Sequence, residues 1–374
     1  MFTMTADQAA EVPSDAGQSP VQLLEQRVGA GWKTLAQARR LALETRTKLA
    51  DALAGISSSD LSIVAFGSLA RDEFTPGSDV DWTLLIDGIA DAHHFDLTQE
   101  IRGVVAALGM KQPGREGQFG AMTFSHELVH LIGGQDDTNS NTTRRILLLL
   151  ESVALGQGAA HERVITGTLS RYLLEERTFA RGSKPINVPR FLLNDFARYW
   201  RTMAVDFAYK SRTRHGKGSA LRNLKLRMSR KLIFVSGLLS CFSCQLGMAR
   251  VGGHAGCPGR EEECVICLRA FMGRKPLDIF AQTALYLAEK NPAKAAQIFA
   301  FAEKAVTAYD KFLAILADTH KRERLDNLAQ ADIDSDPLFV EARAISHEFR
   351  DGIDGFFFDG DADLAKLTRH YGVF

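Results

Sequence analysis

Asp79 and Asp81 are the residues of this sequence whose type and spacing best suit them to chemistry. They stand two apart in Gly77-Ser78-Asp79-Val80-Asp81-Trp82, at the head of an apolar run that reaches Ile86. Alternate residues of a strand point to one face, so the spacing predicts both carboxylates on the same side of a sheet. Two carboxylates so close repel each other unless a cation lies between them, and a hard, oxygen-seeking ion such as Mg²⁺ (or Mn²⁺) fits that description. Upstream, Gly67-Ser68 closes the β-prone run Leu61-Ser62-Ile63-Val64-Ala65-Phe66 and precedes a predicted helix. Glycine lets the backbone come close to a ligand, and amides with a serine hydroxyl can hold phosphate oxygens. A phosphate cradle followed by a metal-binding acidic pair describes a nucleoside-triphosphate site, built for in-line displacement at phosphorus. Gly67, Ser68, Arg71 and Ser78 are the candidate nucleotide contacts. Arg71 and Glu73 read also as a polar pair that braces the loop.

A lone Asp-x-Asp is more often a solvated turn. Gly-Ser upstream at this spacing, with apolar runs on both sides, argues for a site. Gly67, Ser68, Arg71, Glu73, Ser78, Asp79 and Asp81 together resemble the signature of the DNA polymerase β-type nucleotidyltransferase superfamily. Within it, their order is similar to the PII-uridylyltransferase and glutamine-synthetase adenylyltransferase group. It is similar also to nucleotidyltransferases found beside cyclic-nucleotide-binding and CBS modules. The motif covers residues 64–86. A weaker likeness continues in Leu148 to Gly156, where Ser152 and Val153 replace the usual Ala and Arg, and in a helical region over residues 185–240. No cyclic-nucleotide-binding, CBS, phosphohydrolase or ACT-like region is recognisable.

The resemblance implies a palm-like mixed sheet and Mg²⁺-dependent transfer of a nucleoside monophosphate from NTP, with release of pyrophosphate. Its acceptor would be a protein hydroxyl in preference to a nucleic-acid end or a small molecule. It also implies a third carboxylate from a later strand. Glu151 is the first candidate, because it closes the apolar run Ile146 to Leu150, although it reads equally as the polar end of a buried helix. Glu127 comes second, and Asp136 and Asp137 third. The alternatives to this function are a non-catalytic nucleotide sensor or scaffold that keeps the fold, and an RNA-modifying, toxin-like transferase.

The elements that must position these residues are legible in outline. The first 19 residues read as a mobile tail, rich in Ala, Ser, Pro, Asp and Gln. Residues 20–57 carry apolar positions at helical spacing, interrupted at Gly29 and Gly31. Residues 58–157 form the expected nucleotidyltransferase domain: strands at 61–66, 79–86 and 119–124, a helix over 91–108, and a polar turn from Gly133 to Thr143. The run Ile146 to Leu150 fits a buried strand or a helix. Residues 158–374 read as an all-α domain with a Cys-rich insertion at 241–267. The expected class is therefore α+β followed by all-α.

Composition narrows the function class only mildly. A hydrophobic fraction of 45%, a charged fraction of 24% and zero formal net charge over 374 residues give no global attraction for nucleic acid or anionic membrane. No apolar run is long enough for a membrane span. The start lacks the pattern of a secretory leader, so the expected location is the cytoplasm. All five cysteines fall between 241 and 267. Cys241, Cys244, Cys264 and Cys267 form two Cys-x-x-Cys pairs at zinc-ribbon spacing, with Cys257, Gly252, Gly253, Gly256 and Pro258 between them. A structural Zn²⁺ is one reading, and thiols packed as small hydrophobes is the other. The basic stretch Lys210 to Lys231 offers Arg222, Lys225 and Arg230 to a triphosphate, or simply a solvated helix face. His126 and His130, four apart, read as structural or surface residues ahead of metal ligands. Asn139, Asn141, Thr142 and Arg144 read as substrate-contacting loop residues or as turn and cap residues.

Overall fold

The structure is a computed structural model that describes residues 17–114, 118–180, 188–213, 218–248, 250–251, 254–255 and 261–372. The chain opens with α1 (Pro20–Val28) and α2 (Lys33–Ala52). Ser19 caps α1 in a capping box with Gln22, and Gly29 ends it at φ 68°, a left-handed stop that glycine takes without steric cost. Next come β1 (Leu61–Phe66), the short α3 (Gly67–Ala70), β2 (Trp82–Ile86), α4 (His93–Ala107) and β3 (Ala121–Phe124). The region closes with α5 (Ser125–Val129), α6 (Asn139–Leu150) and β4 (Ser152–Leu155).

Four strands make one mixed sheet in the order β3-β2-β1-β4. β1 runs antiparallel to β2, Leu61 opposite Ile86, and antiparallel to β4, Phe66 opposite Ser152. β2 and β3 are parallel, Thr83 opposite Ala121. The central strands β1 and β2 are buried on both faces, which explains their near-continuous apolar sequences. One face packs on α2 and α4 through Ala42, Leu49, Ile63, Leu84 and Ile101. Val64, Phe66 and Leu85, on the other face, join the core that continues into the helices.

The apolar run Ile146 to Leu150 is helix, not strand. Thr138 caps α6 by accepting from the Asn141 amide, so the supposed polar turn around Asn139 is the first turn of that helix. The later strand is the next four residues, with Glu151 at the helix–strand junction.

Beyond β4 the chain is mostly helical: α7 (Ala159–Ala180), α8 (Arg190–Thr213), α9 (Ser219–Lys225), a π-helical turn (Leu226–Arg230) and α10 (Lys231–Leu246). A two-stranded ribbon, β5 (Arg250–Val251) and β6 (His254–Ala255), precedes α11 (Glu261–Met272), α12 (Pro276–Lys290), α13 (Ala295–Ala317), α14 (Thr319–Asn327), α15 (Pro337–Gly355) and α16 (Ala362–Leu367). α13 and α15 pack closely, because a Cβ on Gly352 would lie 2.7 Å from the Ala305 amide. One hydrophobic core takes residues from α1, the sheet and these helices together.

The zinc expectation is corrected by where the cysteines lie. Cys241 and Cys244 sit in the last turns of α10, Cys264 and Cys267 on the facing α11, and all four are buried in the core. Among the described residues no group of three or more His, Cys, Asp or Glu is placed to hold a metal. Two apolar helices bury the thiols as small hydrophobes at i, i+3 spacing instead of presenting a knuckle. Cys257, Gly252, Gly253, Gly256 and Pro258 lie outside the described residues, as does the tail up to residue 16. No helix among the described residues is long and apolar enough to cross a membrane.

Candidate active site

A cavity of about 590 Å³ opens where the ends of β1 and β2 meet α6, α8, α9, the π-helical turn and α14. Gly67, Ser68, Arg71, Glu73, Ser78, Asp79, Asp81 and Glu151 all line it, so residues 84 positions apart in sequence come together. The strand proper begins at Trp82, but extended alternation already holds before it: Val80 is buried in the sheet's core while Asp79 and Asp81 face the cavity. Asp81 is registered by its carbonyl, which accepts from the Phe66 amide at 2.9 Å. Asp79 is fixed by an isolated bridge to Lys111, through the bond from the Val80 amide to the Lys111 carbonyl at 2.8 Å.

Gly67 has φ 65°, and a Cβ there would stand 2.9 Å from Asp81 Oδ2. Both the backbone conformation and the close approach therefore demand glycine. Asp72 is the other left-handed position, at φ 63°, unusual for a residue other than glycine. Arg46 and Arg39 of α2 hold it there by ion pairs at 2.5 and 3.5 Å, and Arg46 also donates to the Leu69 carbonyl. That twist turns Arg71 and Glu73 inward together. Arg71 donates to Glu73 Oε2 at 2.8 Å and to Glu151, and Tyr309 of α13 donates to the same Glu73 oxygen at 2.9 Å. Burial works against the Arg71 charge, but Glu73 and Glu151 override it and hold the guanidinium firmly protonated. Burial pushes both glutamates upward, with Arg71 opposing. Glu151 is thus turned to Arg71, and the Gly67 amide helps stabilise its charge.

Asp81 is pushed up to about 7 by burial, then by the neighbouring charges of Asp79 and Glu151. Asp79 Oδ1 is buried and makes no hydrogen bond, although the Lys111 ammonium pairs with it at 2.7 Å. A half-buried acidic pair under mutual repulsion, one oxygen of which already draws an ammonium, is a donor set that a hard divalent cation suits. Mg²⁺ commonly takes only one or two protein carboxylates and completes its shell with water and substrate phosphates. The residues present fit such an ion.

Across the cavity stand cations from the helical region: Lys225 at the end of α9, Arg230 in the π-helical turn and Arg322 of α14. Burial, then Arg322 and Arg230, draw Lys225 down to about 8, against the pull of Asp79 and Asp81. Arg322 also reaches Thr75 Oγ1 and Ser78 Oγ at 3.4 Å, touching the turn before the acidic pair. One face of α8 adds Tyr199, Thr202, Met203, Asp206 and Tyr209, and α6 adds Asn139, Ser140 and Thr143.

Of the other sequence candidates, Arg222 is not among the cavity residues. Glu127 pairs with Arg144 at 3.4 Å, and the His126 and His130 rings lie 5.2 Å apart. Asp137 is buried against Arg145 at 2.9 Å and Arg198 at 3.4 Å. Asn141 and Thr142 are buried in the first turn of α6. Arg322 and the α8 face escaped sequence reasoning. Arg322 sits in a charged run with nothing to mark it, whereas the spacing 199, 202, 203, 206, 209 follows one helical face.

Residues 46–106 match the family model of the nucleotidyltransferase domain. The matched segment runs from the end of α2 through β1, the Gly67 turn, the acidic pair, β2 and α4. It thereby supports nucleotidyl transfer as the class of activity and a nucleoside triphosphate as substrate. No curated protein matches the chain.

Proposed function

We propose that this cavity transfers a nucleoside monophosphate from NTP to an acceptor hydroxyl, with pyrophosphate leaving, in the manner of the protein-modifying uridylyl- and adenylyltransferases. The observation that carries it is the pairing, within one cavity, of a half-buried acidic couple beside the sheet with Lys225, Arg230 and Arg322 on the helices. Carboxylates alone would repel a triphosphate. Cations alone would bind any anion. Facing each other, they suit a polyphosphate carried with a divalent ion.

The Gly67 turn and the Ser68 hydroxyl would hold phosphate oxygens, and Lys225, Arg230 and Arg322 would take the charge that builds on the leaving pyrophosphate. Asp79 and Asp81 would hold Mg²⁺, which supplies charge neutralisation at the reacting phosphorus when bound. Arg71, Glu73 and Glu151 would keep the turn and the acidic pair in register. A protein acceptor is favoured over nucleic acid because the chain has no net charge.

The test is label transfer from each of the four α-³²P-NTPs, with Mg²⁺ or Mn²⁺, into cell lysate, with Asp79→Asn/Asp81→Asn as blank. A labelled product absent from the blank is the expected result, and its identity names the acceptor. Equal labelling by the double variant would sink the reading. Nucleotide binding without any label would make the protein a sensor.

A further inference from the structure

We infer that Lys111 is a positioning residue for the divalent-ion site: its ammonium holds one oxygen of Asp79 from outside the cavity and leaves the other turned inward. The inference rests on the reading of the cavity as a Mg²⁺-nucleotide site. The two acids of the pair are fixed unequally. Asp81 lies against Gly67, where a Cβ would stand 2.9 Å from its Oδ2. Asp79 has no such wall, and its side chain is 34% exposed. A carboxylate free to turn is a poor ligand for Mg²⁺, which demands its oxygens close to ideal octahedral places.

The chain delivers Lys111 to Asp79 on a fixed backbone. α4 ends at Ala107, and Gly109 reverses the chain at φ 67°, with the Gly109 and Met110 amides donating back to the Ala106 and Val105 carbonyls at 2.9 and 3.1 Å. Met110 packs on the core beneath the sheet, so the alternation of extended chain turns Lys111 the other way. The Lys111 carbonyl accepts from the Val80 amide at 2.8 Å, which makes the residue the parallel bridge partner of Asp79. On its other side the Gln112 amide group donates to the Arg102 carbonyl at 2.8 Å.

The side chain of Lys111 is 63% exposed, yet it meets Asp79 Oδ1, an oxygen closed to solvent, at 2.7 Å. Lys111 is not among the cavity residues, whereas Lys225, Arg230 and Arg322 are. Its charge therefore acts on the carboxylate from behind and not on the phosphates. Held at Oδ1, Asp79 offers Oδ2 to an ion in the cavity, and the ammonium offsets part of the repulsion from Asp81. Partners of this kind behind a metal-binding carboxylate contribute about tenfold to a hundredfold in metal affinity, and an exposed ammonium belongs at the lower end.

The experiment compares Lys111→Met, Lys111→Arg and Lys311→Met with the unmodified full-length protein. Lys311 is a second exposed lysine, paired with Glu348 at 2.9 Å, and controls for the loss of one positive charge. Free Mn²⁺ is followed by electron paramagnetic resonance during titration, first without nucleotide and then with each of the four αβ-methylene NTPs. Lys111→Met is expected to weaken Mn²⁺ binding about tenfold with the melting temperature nearly unchanged. Lys111→Arg should restore most of the affinity, and Lys311→Met should leave it as it was. Charge alone would act in the opposite direction, since removing a lysine favours a cation. Unchanged or tighter binding in Lys111→Met, or an equal loss in Lys311→Met, overturns the inference while leaving the cavity's reading intact. An unmodified protein that takes up Mn²⁺ in neither series brings down the reading of the cavity, and the inference with it.

Discussion

At the scale of single residues, the site depends on groups that each pay for their position in repulsion or strain. Asp81 is held near 7 by burial and by Asp79, so the acidic pair contributes little to the stability of the metal-free fold. Asp79→Asn/Asp81→Asn should therefore take label transfer to background while the melting temperature stays unchanged or rises slightly. A fall of many degrees would mean that the pair is structural. Gly67 behaves differently, since its φ of 65° and the 2.9 Å gap to Asp81 leave no room for a methyl group. Gly67→Ala is expected to cost about 1–2 kcal/mol in urea denaturation and to abolish Mg²⁺-nucleotide binding. A variant with unchanged binding would show that the turn does not approach the phosphates.

At the scale of elements, the sheet edge and the helices are tied by buried polar groups whose loss can be read directly. Arg145 of α6 is fully buried and bonds Asp137 at 2.9 Å, Asp195 of α8 at 3.0 Å and the Tyr172 hydroxyl of α7 at 2.7 Å. Arg145 keeps Asp195 when Asp137 is removed, so Asp137→Ala should destabilise by about 1.5–3 kcal/mol, the worth of a charged hydrogen bond, measured by urea denaturation at pH 7. His161, on α7, bonds Ser152 of β4 at 2.7 Å. Burial, with Lys275 and Arg269 adding to it, draws its imidazole from 6.5 down to about 4. The unfolded chain then binds more protons than the folded one between those values. This stabilisation is complete above about pH 6.5 and is lost as pH falls toward 4, by about 3 kcal/mol in all. His161→Gln should flatten that part of the pH–stability curve, and an identical curve would contradict the assignment.

At the scale of the whole molecule, the sheet and the helices share one core and one site. Val64, Phe66 and Leu85 of the sheet belong to the same buried cluster as Phe280, Tyr309 and Phe349. Arg71 and Glu73 complete their bonding through Tyr309 of α13. A fragment ending at residue 157, although it contains the whole matched segment, would expose that apolar face and leave Glu73 short of a partner. It is expected to aggregate or to lack a cooperative melt, and the full chain to unfold in a single transition followed by circular dichroism. A soluble, cooperatively folding fragment would show that the sheet region is self-sufficient.

The sequence alone determined the position of the acidic pair on one face, the glycine turn and the outline of sheet then helices, because these rest on local rules: period-two alternation, a glycine at a left-handed bend, and helical spacing. Asp79, Asp81, Gly67 and Ser68 do line one cavity. Local rules could not decide between strand and helix for Ile146 to Leu150, since a fully buried segment shows no periodicity; the Thr138 cap and the packing of α6 decided it. Cysteine spacing was equally ambiguous, because Cys-x-x-Cys is also one turn of helix, and only the burial of α10 against α11 chose between the readings. Lys225, Arg230, Arg322 and Tyr309 come to the site from helices more than a hundred residues away from the motif. No pattern along the chain encodes that approach, which arises from the packing of α9, α13 and α14 beside the sheet.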